Sequence, residues 1–321
     1  MSDPLWKRVL QGDSAALARS ITLIEHRKPG YQELIAKLYR EGTKAPVIGI
    51  TGTPGAGKST LVNELIGEYR KQGLRVAVLA VDPVSPFSGG ALLGDRIRME
   101  NAIGDDEVFV RSMSTHGALG GLSPVTASVV TAMEAFGADR VIVETVGAGQ
   151  NEVAIVRMAD TIVVMVQPGT GDEVQMAKAG ILEIGDIFVV NKADLPGVDH
   201  TVRELNDMIS LGEELSTEEA AWTPPVITTQ ATTGQGVETL ADRLEQHRSY
   251  LNESNAVADR RRSRYANEVE TILQDELANR ARHAIELSGG IDTIAERVSN
   301  RESDPYEEVD AIVTELLKYQ Q

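Results

Sequence analysis

The stretch from Val47 to Thr60 constrains this chain more than any other part of its sequence. It begins with a short apolar run that is typical of a buried strand, and Gly52 to Ser59 then follow the spacing Gly-x-x-x-x-Gly-Lys-Ser. An amphipathic segment, typical of a helix, comes directly afterwards. Strand, glycine loop and helix are the three parts of a triphosphate-binding site, in the required order. The stretch therefore predicts a phosphate loop.

The residues of this loop have distinct expected roles. Its glycines can adopt backbone angles that side chains forbid, so successive N–H groups can turn toward phosphate oxygens. The helix that begins near Lys58 directs its unpaired amides and positive dipole end to the same place. Lys58 is expected to reach the β- and γ-phosphates, and the Ser59 hydroxyl to bind Mg²⁺. The predicted phosphate-binding residues are Gly52, Thr53, Pro54, Gly55, Ala56, Gly57, Lys58, Ser59 and Thr60.

From residue 47 onward, strand-like and helix-like segments alternate. We place strands near 47–51, 75–81, 107–111, 140–145, 161–167, 186–191 and 225–229. We place helices near 58–72, 122–136, 151–158, 173–183, 199–214 and 236–248. Several strand segments are continuously apolar, which is expected when helices cover both faces of a mostly parallel sheet. The predicted fold class is α/β, a P-loop NTPase whose ligands bind at the carboxyl ends of the strands.

A second motif, Asn191-Lys192-Ala193-Asp194, closes the strand predicted at 186–191. The Asp194 carboxylate can accept hydrogen bonds from the ring N–H and the amine of guanine, whereas adenine would leave it unpaired. The Lys192 stem can lie along the base, and Asn191 can connect this loop to the glycine turn. The motif therefore predicts guanine recognition. A backbone amide after the next strand is expected to complete it, within Gln230, Ala231 and Thr232.

Carboxylates at strand ends are the candidates for binding Mg²⁺ and sensing the γ-phosphate. Asp82 and Glu144 each end a predicted strand, and Asp95 lies in the glycine-rich loop after Asp82. Mg²⁺ takes oxygen ligands and keeps several waters, so one or two carboxylates with Ser59 and the phosphates suffice. An acid at a strand end can also cap a helix or lie in a solvated turn. We interpret Ser59, Asp82, Asp95 and Glu144 as the metal ligands.

The residues that assist hydrolysis are less clearly indicated. Lys58 and Glu144 belong to the predicted site itself. Further residues could supply charge or orient water, and the sequence does not rank them: Arg96, Arg98, Gln150 and Lys178. Because no glutamine stands out as the residue that orients the attacking water, we expect slow hydrolysis until another molecule completes the site.

Helical segments flank the α/β region. Residues 5–41 predict two short helices, with Asp13 or Ser14 as a possible helix start. Beyond about residue 250 two helical apolar stripes follow, the second begun by Asp304 and Pro305. We expect an N-terminal helical extension at 1–44, a P-loop GTPase domain at 45–250 and a C-terminal helical arm at 251–321. The arm could fold back on its own sheet or dimerise. We favour a homodimer, because helices far from the last strand need a partner surface.

Composition limits the partners and the compartment. The 321 residues include 31 basic and 48 acidic ones, a net charge of −17, so neither nucleic acid nor an anionic membrane is an expected partner. A salt-rich host would produce a similar bias. The absence of cysteine excludes a disulfide framework, a thiolate zinc site and a cysteine nucleophile. Without a signal-peptide pattern or an apolar run that spans a bilayer, the sequence predicts a cytoplasmic protein.

These motifs resemble those of the MeaB/ArgK family of P-loop GTPases, and the resemblance covers nearly the whole chain. It is carried by Gly52–Ser59, Val81-Asp82-Pro83, Gly94-Asp95-Arg96, the segment 144–152 and Asn191–Asp194. It is most specific at Glu144, where an aspartate is usual, and in the loop at 168–175, Pro-Gly-Thr-Gly-Asp-Glu-Val-Gln. That loop is similar to the family's third switch, and Lys178 falls in the same stretch. Gln230-Ala231 departs from the Ser-Ala that relatives usually carry.

The resemblance implies a Mg²⁺-dependent, homodimeric GTPase that binds GTP and GDP, hydrolyses GTP slowly and is stimulated by a partner. The implied partner is an adenosylcobalamin-dependent methylmalonyl-CoA mutase, or a related acyl-CoA mutase. The family gates cofactor loading of the mutase and protects it from inactivation. The motifs by themselves indicate only the GTPase.

Other functions remain open from the sequence. A nickel-inserting GTPase needs soft or imidazole ligands, whereas this chain has no cysteine and five scattered histidines. A kinase linked to lysine, arginine and ornithine transport would transfer phosphate to a protein side chain, and no base stands out for a hydroxyl acceptor. A structural switch would bind GTP with negligible hydrolysis. The fate of the γ-phosphate separates these functions.

Overall fold

The computed structural model describes residues 3–82, 104–114, 124–145, 158–169, 184–215 and 222–318. The chain consists of two compact units, Met1–Arg264 and Tyr265–Gln321. No helix within the described ranges is both long enough and apolar enough to cross a membrane.

The first unit is built on a parallel sheet. Its strands are β1 (Val47–Gly52), β2 (Val76–Asp82), β3 (Val108–Ser114), β4 (Arg140–Thr145), β5 (Thr161–Val166), β6 (Ile187–Asn191) and β7 (Val226–Thr229). They lie in the order β3-β2-β4-β1-β5-β6-β7, and every adjacent pair is parallel. The predicted α/β class with a mostly parallel sheet is confirmed.

The helices before and within the sheet region are α1 (Leu5–Leu10), α2 (Ser14–Glu25), α3 (Tyr31–Glu41), α4 (Lys58–Lys71), α5 (Pro124–Ala135), α6 (Val198–Leu215) and α7 (Val237–Glu253). Three more follow: α8 (Ala256–Leu287), α9 (Gly290–Ser299) and α10 (Pro305–Lys318). The predicted helices at 151–158 and 173–183 lie, except for residue 158, outside the described residues.

Alternate residues of the central strands enter two separate apolar layers. Val47 joins the layer covered by α1, α2, α3, α5 and α6, whereas the next residue, Ile48, joins the layer under α4 and α7. Successive side chains of a strand point to opposite faces, so a strand covered on both sides is apolar at nearly every position. This explains why the central strands show continuous apolar runs rather than alternation.

Among residues 3–46, three helices precede β1, one more than the sequence predicts. Asp13 separates α1 from α2, and it caps α2 by accepting a hydrogen bond from the Ala16 amide at 2.9 Å. The cap begins a new helix after Gly12, which has a left-handed φ of 78°. The apolar faces of α1, α2 and α3 all pack against α5, and thus cover one face of the sheet.

Two aspartates satisfy backbone amides at the end of the sheet opposite the phosphate loop. Asp160 directly precedes β5, and its carboxylate accepts a hydrogen bond from the Val47 amide of β1 at 3.0 Å. Asp186 directly precedes β6, and its carboxylate accepts one from the Ile162 amide of β5 at 2.8 Å. Each carboxylate therefore accepts a hydrogen bond from a backbone N–H at the start of the neighbouring strand, which no strand carbonyl satisfies.

Arginines at the start of α8 neutralise these two carboxylates. Arg260 donates to both oxygens of Asp186, at 2.7 and 2.8 Å, and Arg261 donates to Asp160 at 3.3 Å. Burial disfavours the charge of Arg260, but the hydrogen bonds and the charge of Asp186 outweigh it and raise the pKa of this arginine. Removal of one member of such a pair leaves the other charge buried and uncompensated. The pairs thus anchor the first turns of α8 to the sheet.

The second unit contains the rest of α8 with α9 and α10. Asp304 caps α10 by accepting two backbone amides at 2.8 and 3.1 Å, and Pro305 is its first residue, as the sequence predicts. Arg297 of α9 pairs with Glu308 of α10 at 2.6 Å. Hydrogen bonds from Arg297 and a serine lower the pKa of Glu308 to about 2. This contact connects α9 and α10 within the unit.

Candidate functional site

The phosphate loop lies at the carboxyl end of β1, between β4 and β5. Gly52 ends this strand with a φ of 140°, and a Cβ atom on it would lie 2.0 Å from the Met165 carbonyl oxygen of β5. The next amide, that of Thr53, donates to the same oxygen at 3.2 Å. Only glycine fits here, because the loop turns directly against the neighbouring strand.

Gly57 brings the loop against the end of β6 before α4 begins. Its φ of 92° is left-handed, and a Cβ atom on it would lie 2.5 Å from Asn191 Nδ2. Gly57 is the N-cap of α4, and no side chain of the described residues caps the helix there. The first amides of α4 therefore face the loop, which is the arrangement in which a helix N-terminus binds phosphate.

The Lys58 ammonium lies inside this loop. It donates to the carbonyl oxygens of Gly52 at 2.7 Å and Thr53 at 2.9 Å, and only 7% of Lys58 is exposed. A lysine ammonium has three donors on a flexible stem, so it can exchange these carbonyls for phosphate oxygens without a change in the backbone. Of the other predicted loop residues, Ala56 is buried, whereas Pro54, Gly55 and Thr60 are exposed.

A serine and a glutamate meet beside the loop. The Ser59 hydroxyl, in the first turn of α4, donates to Glu144 Oε1 at 2.5 Å, and Glu144 is only 2% exposed. Strand β2 lies beside β4, with Val81 opposite Thr145, so the backbone of Asp82 reaches the same edge of the sheet. Oxygen ligands at one edge are what Mg²⁺ requires, and the residues present fit that ion.

Several predicted site residues lie outside the described part of the chain. These are Asp95 and Lys178, with the alternatives Arg96, Arg98 and Gln150. Among the described residues, no group of three or more His, Asp or Glu side chains is arranged to hold a metal. A magnesium site with one serine and one carboxylate needs no such group, because phosphate oxygens and waters supply the remaining ligands.

Asn191 connects the predicted base-binding motif to the phosphate loop. Its Nδ2 donates to the Ala56 carbonyl oxygen at 2.7 Å. Its Oδ1 accepts hydrogen bonds from Thr229 Oγ1 and from the Ala231 amide, both at 3.0 Å. This buried side chain therefore joins the end of β6, the end of β7 and the loop after β1. We expect the guanine base to bind where these three segments meet.

The rest of the motif directly follows Asn191. Lys192 has a left-handed φ of 59°, and the following amide, that of Ala193, donates to the Thr229 carbonyl oxygen at 3.0 Å. Asp194 is exposed. An exposed carboxylate at the end of β6 can accept hydrogen bonds from a base that enters from solvent.

The turn after β7 carries the last predicted contact. Gln230 pairs with Gln235 in an isolated antiparallel bridge, which closes the turn. The Ala231 amide donates to Asn191 Oδ1 at 3.0 Å, and Thr232, the next residue, is exposed. Gln230 and Ala231 thus lie next to the end of β6.

Gln167 is a further residue at this edge of the sheet, and it was not among those predicted from the sequence. It directly follows β5, and its Oε1 accepts a hydrogen bond from Lys192 Nζ at 2.5 Å. A signal was present, because a polar residue directly after an apolar strand of a parallel sheet lies at the ligand-binding edge. The hydrogen bond itself depends on the register of β5 with β6 and could not be read from the sequence.

Comparison with known protein families points, as the geometry of the site does, to a nucleotide-binding protein. The sequence model of the family described as methylmalonyl Co-A mutase-associated GTPase MeaB matches residues 17–286. The chain belongs to this family. It is therefore a P-loop GTPase, and the resemblance found in its sequence motifs is confirmed.

Relatives of this MeaB-family chain match it over most of its length. A putative GTPase of Pyrococcus abyssi is 47% identical over 317 residues, which cover 99% of this chain and 97% of that protein. GTPase ArgK of Escherichia coli is 35% identical over 283 residues, 85% of this chain and 84% of that protein. The crystal structure of an LAO/AO transport system kinase has a TM-score of 0.68 and 26% identity, and it covers 98% of this chain and 96% of that one.

Proposed function

We propose that this MeaB-family GTPase is a chaperone of an adenosylcobalamin-dependent acyl-CoA mutase, with methylmalonyl-CoA mutase as the first candidate. In this role it gates the loading of the cofactor and protects the mutase from inactivation. The observation that carries the proposal is the match of residues 17–286 to a family described as associated with methylmalonyl-CoA mutase.

The geometry of the site supports a Mg²⁺-dependent cycle between GTP and GDP. Lys58, inside the loop, binds the β- and γ-phosphates, and Ser59 beside Glu144 binds Mg²⁺. When it is bound, Mg²⁺ neutralises charge on the phosphates. The proposed metal ligands are Ser59, Asp82, Asp95 and Glu144. The proposed catalytic residues are Lys58, Glu144 and Lys178.

The base pocket supports guanine as the preferred base. Asp194 accepts the two guanine donors, Lys192 lies along the base, and Asn191 holds the pocket against the phosphate loop. The turn that contains Gln230, Ala231 and Thr232 supplies the amide for the guanine carbonyl.

A homodimer formed through the C-terminal helices is part of this proposal. In the second unit, Val269, Leu273 and Leu277 of α8 are 67%, 55% and 52% exposed. Residues four apart lie on one face of a helix, so they form an apolar stripe of the kind that helix–helix interfaces bury. Sedimentation equilibrium at micromolar concentration should show a dimer, and a monomer would contradict this part of the proposal.

Phosphate release from GTP, with and without a methylmalonyl-CoA mutase of the same organism, tests the main proposal. We expect a clear rise in the rate with the native mutase and none with the heat-denatured mutase. No rise, although GTP binds normally, would leave the GTPase activity intact and refute this mutase as the partner. The same assay with a related acyl-CoA mutase then tests the wider class.

A second candidate function follows from the similar structure that is named an LAO/AO transport system kinase. Incubation with γ-labelled GTP and candidate acceptor proteins separates the two functions. Label on an acceptor protein would support the kinase, and label released as free phosphate would support the GTPase. Label retained in bound GTP would indicate a switch with negligible hydrolysis.

A further inference from the structure

Gln167 links the base side of the nucleotide site to the phosphate side. The register that pairs Val166 with Val190 places Gln167 beside Asn191 at the carboxyl edge of the sheet. Its Oε1 accepts the hydrogen bond from Lys192 Nζ at 2.5 Å. A lysine ammonium can only donate, so the amide oxygen faces it and the amide nitrogen turns the other way. That nitrogen lies 4.0 Å from the position that a Cβ atom on Gly55 would take.

The turn after β6 holds the backbone of Lys192, and the hydrogen bond to Gln167 holds its side chain. The residue adopts the left-handed conformation, with φ 59°, that non-glycine residues usually avoid. Its carbonyl oxygen accepts the Leu195 amide at 2.9 Å, which helps to hold the turn. The four-carbon side chain has many rotamers, and the hydrogen bond to Gln167 selects among them.

The neutral acceptor matters for this role. A carboxylate at residue 167 would neutralise Lys192 and bring a negative charge close to a loop that must bind phosphates. An amide oxygen holds the ammonium by a charge-assisted hydrogen bond and leaves its positive charge available. Gln167 thus orients Lys192 without competing with the nucleotide.

We infer that Gln167 is a positioning residue for guanine nucleotides, which holds Lys192 along the base and so increases affinity. This inference rests on the proposed assignment of Lys192 to the base pocket. It concerns the binding of nucleotide alone, so its test is independent of any mutase.

A double-mutant cycle on GDP affinity tests the inference, with calorimetry as the measurement. Gln167→Met keeps the length of the side chain and removes the acceptor, and we expect about tenfold weaker GDP binding, as for a lost hydrogen bond to a charged group. Lys192→Met removes the other partner. In the Lys192→Met background, Gln167→Met should have no further effect on GDP affinity. Affinity for inorganic pyrophosphate, which has no base, should stay unchanged in Gln167→Met, since this variant keeps the positive charge of Lys192.

Two different results would overturn the inference. If Gln167→Met weakens GDP binding equally with and without Lys192, or weakens pyrophosphate binding, then Gln167 does not act through this lysine. If Lys192→Met binds GDP as tightly as the native protein, the ammonium that Gln167 holds contributes nothing to GDP affinity, and the inference fails. Gln72→Met, exposed at the end of α4, is the matched control and should bind GDP normally. If Gln167→Met does not fold, Gln167→Asn, whose shorter side chain cannot reach the ammonium, enters the same cycle.

Discussion

The Ser59 hydroxyl and the Glu144 carboxylate meet at 2.5 Å, although 85 positions separate them in the chain. Ser59 belongs to the first turn of α4, and Glu144 lies near the end of β4. The two meet because β1 and β4 pair in a register that sets Ile50 opposite Glu144. Hydroxyl and carboxylate oxygens are the ligands that Mg²⁺ takes in nucleotide sites. The contact therefore joins the phosphate loop to the proposed metal site.

Replacement of Glu144 by glutamine tests this metal site. Glu144→Gln keeps the shape of the side chain and removes its charge, so we expect the Mg²⁺ concentration for half-maximal GTP hydrolysis to rise by about tenfold or more. A Mg²⁺ titration of phosphate release measures this, and GDP binding in EDTA should be unaffected. The matched control is Glu238→Gln, on the exposed first turn of α7. An unchanged Mg²⁺ requirement would remove Glu144 from the metal site.

Lys58 should be essential for the binding of the triphosphate. Lys58→Ala removes the ammonium from the centre of the loop, and we expect GTP binding to weaken by at least about 3 kcal/mol and turnover to be lost. Fluorescence titration with a labelled GTP analogue measures the affinity. The control is Lys71→Ala at the end of the same helix, where the side chain is 74% exposed. Tight GTP binding by Lys58→Ala would contradict the assigned contact with phosphate.

Asn191 should affect both stability and nucleotide binding. Asn191→Ala leaves a buried carbonyl, hydroxyl and amide without the partner they have in the native protein, so we expect a loss of about 2 kcal/mol or more in the free energy of unfolding. Urea unfolding measures this loss, and GDP affinity should fall with it. Asn206→Ala, on the exposed surface of α6, should leave both unchanged. Equal effects of the two substitutions would argue against a special role of Asn191.

Asp194 should determine the preference for guanine. In Asp194→Asn the side chain can donate a hydrogen bond to a base carbonyl, so xanthine becomes the better partner and selectivity for GTP over xanthosine triphosphate should fall by about tenfold or more. Competition between the two nucleotides measures the ratio. Asp199→Asn, in the exposed first turn of α6, serves as the control. An unchanged preference would show that another residue reads the base.

His247 should make the stability of the protein depend on pH. It is fully buried, with Nδ1 2.8 Å from Thr161 Oγ1 and Nε2 3.4 Å from Asp186 Oδ1. Burial lowers its pKa to about 4, with Arg260 acting in the same direction and Asp186 and Asp160 against it. In the unfolded chain, the pKa of a histidine is about 6.5. As the pH falls below that value, the unfolded state therefore binds the proton first.

The stability from neutral His247 is thus complete above about pH 6.5 and is lost progressively toward pH 4, by about 3 kcal/mol in total. The free energy of unfolding in urea at pH 7 and pH 5 measures this loss. His247→Phe should show a smaller loss between the two values, whereas His200→Gln, with a side chain 69% exposed, should behave as the native protein does. Identical pH dependence in the native protein and His247→Phe would refute the prediction.

The strands and the phosphate loop could be predicted because their signals are local. The continuous apolar runs predicted a covered parallel sheet, and all the strands formed within three residues of their expected bounds. Asp304 and Pro305 marked the start of α10 for the same reason. Asp13 was a predicted helix start and caps α2, but α1 was not expected as a separate helix, because its apolar residues and those of α2 share one helical spacing across Gly12 and Asp13.

The contacts between distant side chains could not be predicted in the same way. The basic residues at 260–264 are visible in the sequence, but which acids they meet depends on which strands lie at the centre of the sheet. Asp160 and Asp186 look like ordinary turn residues before strands until the ladder places a neighbouring amide against each of them. The contact between Gln167 and Lys192 likewise depends on the pairing of β5 with β6.

The sequence by itself determined the phosphate loop, the base motif and the α/β class, because glycine positions, apolar periodicity and motif spacing act within a few neighbouring residues. Only the tertiary structure decided that Ser59 meets Glu144, that Asn191 joins the base motif to the phosphate loop, and that Gln167 holds Lys192. The physical reason is that these hydrogen bonds require atoms from different strands at about 3 Å, a distance set by strand order and register rather than by the chemistry of any one segment.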